Sequence, residues 1–297
     1  MALLSPPPPE ARPAADPPAP WPWYSPFLAA IGLYVGLGIA VAAIAAAAGW
    51  TSDGDLPDRF ILGATFVQDG ALVGLAFLIA HLSGSHVRWH LGLRRTRPGR
   101  SLLLAGAAFI AFVAFLIAWQ AILDVSEQDD LAQELGAEDS TVNLIAVALL
   151  VCVAAPIAEE LFFRGFLFGA LRKPIGWIPA AIVTGIVFGL IHAGGTDAVF
   201  LVPLAVLGAL LCLLYRWTGS VIPGMGVHAF NNAFALGATL GWTAGQVLAV
   251  VVAAPIVVVG LATAVSVAQR PVPPEATDGE PPAPADAPTW LPPTPLR

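Results

Sequence analysis

An apolar stretch in the middle of the chain reads Pro156-Ile157-Ala158-Glu159-Glu160-Leu161-Phe162-Phe163-Arg164-Gly165-Phe166. Its three ionisable residues stand where a helix that crosses a bilayer should have none. Each charge at the centre of a membrane helix costs about 2.5–3.5 kcal/mol on insertion scales. A purely structural helix would not retain three of them, so the stretch predicts a buried polar site that other helices line.

The composition places most of the chain in lipid. The 297 residues are 57% hydrophobic and 11% charged, and their mean hydropathy is +0.79, whereas a soluble domain is about 25% charged. The few basic residues form no long stripe, so nucleic acid is not expected as a partner. Cys152 and Cys212 lie in apolar runs and are interpreted as packing residues.

Apolar runs of membrane-spanning length predict about eight transmembrane helices. The eight runs cover residues 27–50, 60–82, 102–123, 146–171, 177–193, 198–215, 219–240 and 245–267. The fold class is therefore an all-α polytopic membrane protein, with a transmembrane domain over 27–268. The flanking segments 1–26 and 269–297 are rich in proline, which predicts disordered tails.

The loop charges predict the orientation in the membrane, because basic residues are retained on the cytoplasmic side. The third connection, from Asp124 to Asp139, is acidic and contains no lysine or arginine. Nine basic residues of the other connections fall on the opposite side when the chain alternates through eight spans: Arg88, Arg94, Arg95, Arg97, Arg100, Arg172, Lys173, Arg216 and Arg270. Both termini are therefore predicted to face the cytoplasm. The segment 87–95 is either a short interfacial helix or a basic loop that sets this topology.

Two glutamates and an arginine define the polar face of the fourth span. Glu160 and Arg164 are four residues apart and can pair on one face, which lessens the cost of burying both. Glu159 points about 100° away from Glu160 and is left for another task. The competing interpretation is that both carboxylates only brace neighbouring helices.

Further polar residues lie on the fifth and seventh spans. His192 follows Phe188 by four residues on the fifth span, and His228 and Asn232 share a face of the seventh. Counted at about 1.5 Å per residue, these groups reach the same depth as Glu159. We therefore predict a polar catalytic cavity formed by spans four, five and seven.

These residue types suit hydrolysis of a peptide bond without a serine or cysteine nucleophile. A buried carboxylate and an imidazole can activate water, and an imidazolium with an amide can stabilise an oxyanion. A zinc site is the alternative, with Glu159, His192 and His228 as the candidate ligands. No His-Glu-x-x-His signature is present.

Three motifs on successive spans, Glu159-Glu160-x-x-x-Arg164, Phe188-x-x-x-His192 and His228-x-x-x-Asn232, resemble those of the CPBP/Abi family. That family includes the type II CAAX prenyl endopeptidases and bacterial relatives linked to bacteriocin processing or immunity. The resemblance covers about residues 140–240, and Leu91-Gly92-Leu93-Arg94 is similar to a further family feature.

The resemblance implies a role for each motif residue. Glu159 with His192 would activate the attacking water, and His228 with Asn232 would steady the oxyanion. Glu160 and Arg164 would support Glu159, or Glu160 would contribute directly. The family is described both as metalloproteases and as metal-independent glutamate proteases, and we favour the reading without a cofactor over the one with zinc.

The sequence thus predicts an intramembrane endopeptidase of the cell membrane, acting on a peptide or membrane-protein substrate within the lipid bilayer. The chief alternative is a non-catalytic relative, a membrane peptide-binding or bacteriocin-immunity protein. A transporter with a midplane site is a third class. It is disfavoured because no internal repeat is evident and the polar residues cluster in the second half of the chain.

Overall fold

The computed structural model describes residues 19–50, 56–84, 86–123, 135–193 and 195–266. The C-terminal tail, most of the N-terminal tail and most of the acidic third connection lie outside these residues. The described chain forms nine helices: α1 Ser25–Ala48, α2 Asp58–Leu82, α3 Val87–His90, α4 Pro98–Leu123, α5 Thr141–Ile175, α6 Trp177–Leu190, α7 Ala198–Thr218, α8 Ile222–Thr239 and α9 Ala244–Val265.

The all-α, polytopic fold predicted from the sequence is confirmed. Eight of the helices lie where the eight apolar runs are, and six are long and apolar enough to cross a membrane: α1, α2, α4, α5, α7 and α9. The two others, α6 and α8, are not counted among these six for simple reasons of length and polarity. Helix α6 has 14 residues, or about 21 Å of rise, and α8 has 18 residues that include the polar residues of the third motif.

Helix α5 continues past the two glutamates but is wound unevenly. Leu150–Ala154 and Glu160–Phe168 are π-helical, and α-helical turns precede, separate and follow them. Pro156 explains part of this winding, because it has no N–H and its ring excludes the carbonyl four residues back. The Ala155 N–H bonds to the Leu150 carbonyl, five residues back, in the π pattern. The next carbonyl, that of Val151, would need the N–H that Pro156 lacks.

Helices α6 and α7 pack closely because small residues line their contact. A Cβ added to Gly185 would lie 2.5 Å from the Ala205 carbonyl oxygen, and one added to Gly189 would lie 2.5 Å from that of Leu201. Only glycine permits this approach of the two backbones. The approach fixes the end of α6, after which His192 follows in a turn.

We expect Gly185→Ala to lower the free energy of unfolding by about 1–3 kcal/mol, because the added methyl group overpacks the α6–α7 contact. The measurement is thermal unfolding of the purified protein in detergent. Gly106→Ala on α4 is the matched control, since no atom lies within 4 Å of a Cβ there. It should leave the melting temperature equal or higher. Equal melting temperatures for the Gly185 variant and the wild type would contradict the packing argument.

The basic segment after α2 begins with the short helix that one of its two predictions contains, and its second half is buried. Its helix ends after one turn at His90, and the next four residues, Leu91 to Arg94, are buried. Gly92 has a φ of 79°, and its carbonyl accepts from Val221 N at 3.0 Å. Gly165 of α5 rests against the Leu91 carbonyl. Part of this segment is therefore a packing element between α5 and α8, because its backbone groups find partners there.

The described end of the predicted N-terminal tail also packs on the helices. Trp21 is 3% exposed, its Nε1 donates to the Phe166 carbonyl at 3.1 Å, and its ring lies 5.1 Å from that of Phe166. The packed chain thus begins before the first predicted span. An indole N–H that reaches a π-helical carbonyl satisfies two buried polar groups at once.

Candidate active site

The predicted ion pair on α5 is present and completely buried. Arg164 Nη1 lies 2.8 Å from Glu160 Oε1, and both side chains are 0% exposed. Arg164 Nη2 donates to the Gly208 carbonyl of α7 at 3.1 Å, and the guanidinium stacks over the Phe188 ring at 4.4 Å. The arginine therefore joins α5, α6 and α7 through one side chain.

His228 of α8 bridges the two glutamates. Its Nδ1 lies 3.2 Å from Glu160 Oε1, and its Nε2 lies 3.8 Å from Glu159 Oε2. Gly224, one turn earlier, allows Glu160 to approach α8, since a Cβ there would lie 2.7 Å from Glu160 Oε2. Glu160 thus contacts His228 in addition to pairing with Arg164, a contact that the sequence did not predict.

The two glutamates differ in exposure and in partners. The Glu159 side chain is 13% exposed, whereas that of Glu160 is fully buried. Glu159 Oε2 has no hydrogen-bond partner among the described residues. Glu160 Oε2 has none there either, so the two carboxylates differ in exposure and in the ion pair that Glu160 makes with Arg164. A separate catalytic task for Glu159 stays a prediction.

Asn232 connects α8 to the first π-helical turn of α5. Its Nδ2 donates to the Val151 carbonyl at 2.9 Å, and its Oδ1 lies 3.4 Å from Asn231 Nδ2. This is the carbonyl that Pro156 leaves without its π-helical donor. Asn232 therefore has a structural hydrogen bond that the sequence did not predict, and its second amide hydrogen is left for another acceptor.

His192 lies in the turn after α6, and its ring is held by its own motif. The Nδ1 lies 2.8 Å from the Phe188 carbonyl oxygen, and the two rings are 5.0 Å apart. Among the described residues, no ion pair or hydrogen bond joins His192 to Glu159. With Nδ1 as the donor, Nε2 is left as the acceptor of a neutral imidazole.

The candidate zinc ligands are not gathered into a coordination site. In the described part of the chain, no group of three or more His, Cys, Asp or Glu residues is placed to hold a metal ion. Glu159 and His228 approach each other at 3.8 Å, but His192 does not complete a set with them. The arrangement of the donors thus does not fit a three-ligand zinc site, and no catalytic step is assigned to a metal.

Asp69 of α2 is a buried ionisable residue that the sequence reading passed over. It is 3% exposed, and it interacts electrostatically with Glu159 and with Tyr34 of α1. The signal was available, because Asp69 interrupts the second apolar run as Glu159 and Glu160 interrupt the fourth. It was missed because no second ionisable residue at helical spacing marked a shared face.

The cluster combines a slightly exposed carboxylate with an oriented imidazole. Glu159 can accept a proton, and His228, held by Glu160, presents Nε2 on the same side. As an imidazolium, His228 would direct an N–H towards negative charge that develops beside Glu159. His228 is 3% exposed, so the helices close around the cluster and an open catalytic cavity stays a prediction.

Comparison with known proteins agrees with the motifs. Residues 141–234 match the family described as type II CAAX prenyl endopeptidase Rce1-like. The "Uncharacterized protein YyaK" of Bacillus subtilis is 32% identical over 134 residues, which are 42% of this chain and 44% of that protein. The "Putative membrane peptidase YdiL" of the same organism is 30% identical over 92 residues, 30% of this chain and 36% of that protein.

A more distant relative is the "UPF0177 protein YxdF" of Lactococcus lactis, 22% identical over 156 residues that cover 50% of this chain and 85% of that protein. The chain spans less than half the length of the two Bacillus relatives. No solved structure is significantly similar to this chain. The match of residues 141–234 to the Rce1-like type II CAAX prenyl endopeptidase family confirms the resemblance that the motifs predicted.

Proposed function

We propose that this protein is an intramembrane endopeptidase in which Glu159 activates water for attack on a peptide bond. The observation that carries the proposal is His228, which Glu160 holds at 3.2 Å while its other nitrogen lies 3.8 Å from Glu159. A base and a potential oxyanion donor thus stand side by side. The family match of the same segment supports this reading.

The remaining motif residues take supporting parts in this proposal. His192 Nε2 accepts the second hydrogen of the attacking water, since Nδ1 is engaged with the Phe188 carbonyl. His228 and the second amide hydrogen of Asn232 stabilise the oxyanion. Arg164 neutralises Glu160, so that the latter can hold His228 without adding a net buried charge. The mechanism needs no metal.

The substrate is proposed to be a peptide or a membrane-protein segment that enters from the cytoplasmic side of the cell membrane. The basic connections predict that side to be where both termini lie. Arg172 stands in the last turn of α5, and Arg216 in that of α7. Both residues lie at the C-terminal ends of their helices, and Arg164 joins these two helices. Both C-terminal ends are therefore predicted to lie on the cytoplasmic side.

Cleavage of a membrane-peptide library by the purified protein in lipid vesicles tests the proposal. Products are identified by mass spectrometry, with Glu159→Gln purified in parallel to reveal any contaminating protease. We expect cleavage by the wild type alone, unchanged by a strong chelator. Loss of cleavage on chelation, restored by added zinc, would overturn the metal-independent mechanism. Specific peptide capture without cleavage would instead support the binding or immunity function.

A further inference from the structure

Three buried side-chain oxygen atoms, on three different helices, have unsatisfied hydrogen-bonding capacity. Tyr34 Oη, Asp69 Oδ2 and Glu159 Oε2 have no hydrogen-bond partner among the described residues. Leaving a buried polar group unpaired costs about 1–3 kcal/mol, and more for a charged one. Such groups therefore hold a water or a ligand, or serve one another.

The helices that carry these three groups pack against one another. Helix α2 packs along the Ala155–Glu159 turn of α5, and α1 packs against both α2 and the following Glu160–Phe168 stretch. Asp69 lies near the middle of α2, about 17 Å from its first residue. Glu159 interacts electrostatically with both Asp69 and Tyr34. The side of Glu159 towards α1 and α2 is therefore polar, although the family segment contributes neither helix.

Asp69 also lacks a cation in the described part of the chain. There, Glu160 pairs with Arg164 and with His228, and Glu159 pairs with His228 alone, so the ion pairs of the cluster leave Asp69 out. A carboxylate in an apolar span costs about 2.5–3.5 kcal/mol. A group that costs so much and neutralises no partner does not serve stability.

We propose that Asp69 and Tyr34 are positioning residues that fix the carboxylate of Glu159. A carboxylate only accepts hydrogen bonds, so two facing carboxyl groups need a donor between them. That donor is a water molecule or a proton that one of the two retains, and the Tyr34 hydroxyl supplies a second donor. Glu159 Oε2 is thereby held, and Oε1 is aimed at the attacking water. This inference rests on the proposed function, in which Glu159 is the base.

The test compares Asp69→Leu with Asp69→Asn in the peptide-cleavage assay. The leucine is nearly isosteric but can neither donate nor accept, so kcat should fall about 10–100-fold, because a misplacement of about 1 Å can cost as much as 10²-fold in rate. KM should stay within about twofold, because substrate contacts are not removed. Asparagine can donate to Glu159 itself and should restore most of kcat. Gln68→Leu makes the same polar-to-apolar change one residue away and should leave kcat unchanged.

Thermal unfolding of each variant separates a positioning role from a structural one. Asp69→Leu removes an unpaired polar group from the membrane interior, so its melting temperature should equal or exceed that of the wild type. Tyr34→Phe removes a single oxygen and should lower kcat as well. Combined with Asp69→Leu it should add little, since both act through Glu159. If Asp69→Leu fails to fold, the kcat of Tyr34→Phe in the same assay tests the inference in its place.

If Glu159→Gln is inactive but Asp69→Leu keeps the wild-type kcat, the inference is overturned and the proposed function stands. Where Asp69→Leu does not fold, a wild-type kcat in Tyr34→Phe has the same meaning. Full activity of Glu159→Gln would overturn the proposed function and this inference with it. A wild-type protein that cleaves no peptide would do the same.

Discussion

Arg164→Ala is expected to lower the free energy of unfolding by about 3–5 kcal/mol, because it strips Glu160 of its cation in a fully buried site. The same change removes the donor to the Gly208 carbonyl and the stacking over Phe188. Two measurements check it: the melting temperature in detergent and the amount of folded protein in the membrane. Both should fall well below the wild-type values.

Two further variants show whether the effect comes from the unpaired charge. The double variant Glu160→Gln/Arg164→Met removes both charges at similar volume, so it should recover part of the stability that Arg164→Ala loses. Arg216→Ala changes an exposed arginine at the end of α7 and should unfold within about 0.5 kcal/mol of the wild type. If Arg164→Ala and the wild type unfold alike, the pair does not stabilise the fold.

The long helices could be predicted because the length of an apolar run fixes a membrane span. The second span was predicted at 60–82 and runs from Asp58 to Leu82, and the sixth was predicted at 198–215 and runs from Ala198 to Thr218. Hydropathy carries no information on winding, so the π-helical turns of α5 were not predicted. Pro156 was a local signal for the first of them, since it leaves the Val151 carbonyl without a partner.

The candidate site could be predicted where both partners share a helix. Glu160 and Arg164 are four residues apart, and their pairing follows from that spacing alone. The contact of His228 with both glutamates depends on how α8 packs against α5, where Gly224 admits Glu160. The predicted convergence of spans four and seven is present in this contact. Among the described residues, no hydrogen bond or ion pair joins His192 to Glu159, because the Nδ1 of His192 is engaged with the Phe188 carbonyl.

Residues distant in sequence were missed for the same reason. Trp21 reaches Phe166 across 145 positions, and Asp69 interacts with Glu159 from a different helix. Neither belongs to a motif, and a single tryptophan or aspartate carries no spacing that would identify its partner. Such contacts are set by tertiary packing, which the local pattern of a sequence does not encode.

Glu159→Gln is expected to lower kcat about 10³-fold, within the range that a general base contributes, while leaving stability within about 1 kcal/mol of the wild type. Activity should fall while stability stays, because Glu159 can accept a proton but, among the described residues, holds no ion pair shorter than 3.8 Å. Its amide has the same shape and cannot accept that proton at neutral pH. Cleavage kinetics on one substrate and thermal unfolding of the same preparation give both quantities.

The neighbouring carboxylate is the matched control for this prediction. Glu160→Gln removes the partner of both Arg164 and His228, so it should reduce stability as well as activity. Glu159→Asp keeps the carboxylate but withdraws it by one methylene, and a shift of about 1 Å can cost as much as 10²-fold in rate. The order of kcat should therefore be wild type, Glu159→Asp, Glu159→Gln. A Glu159→Gln variant that cleaves at the wild-type rate would assign the base to another group, because no amide can take over the proton transfer that the mechanism gives to this carboxylate.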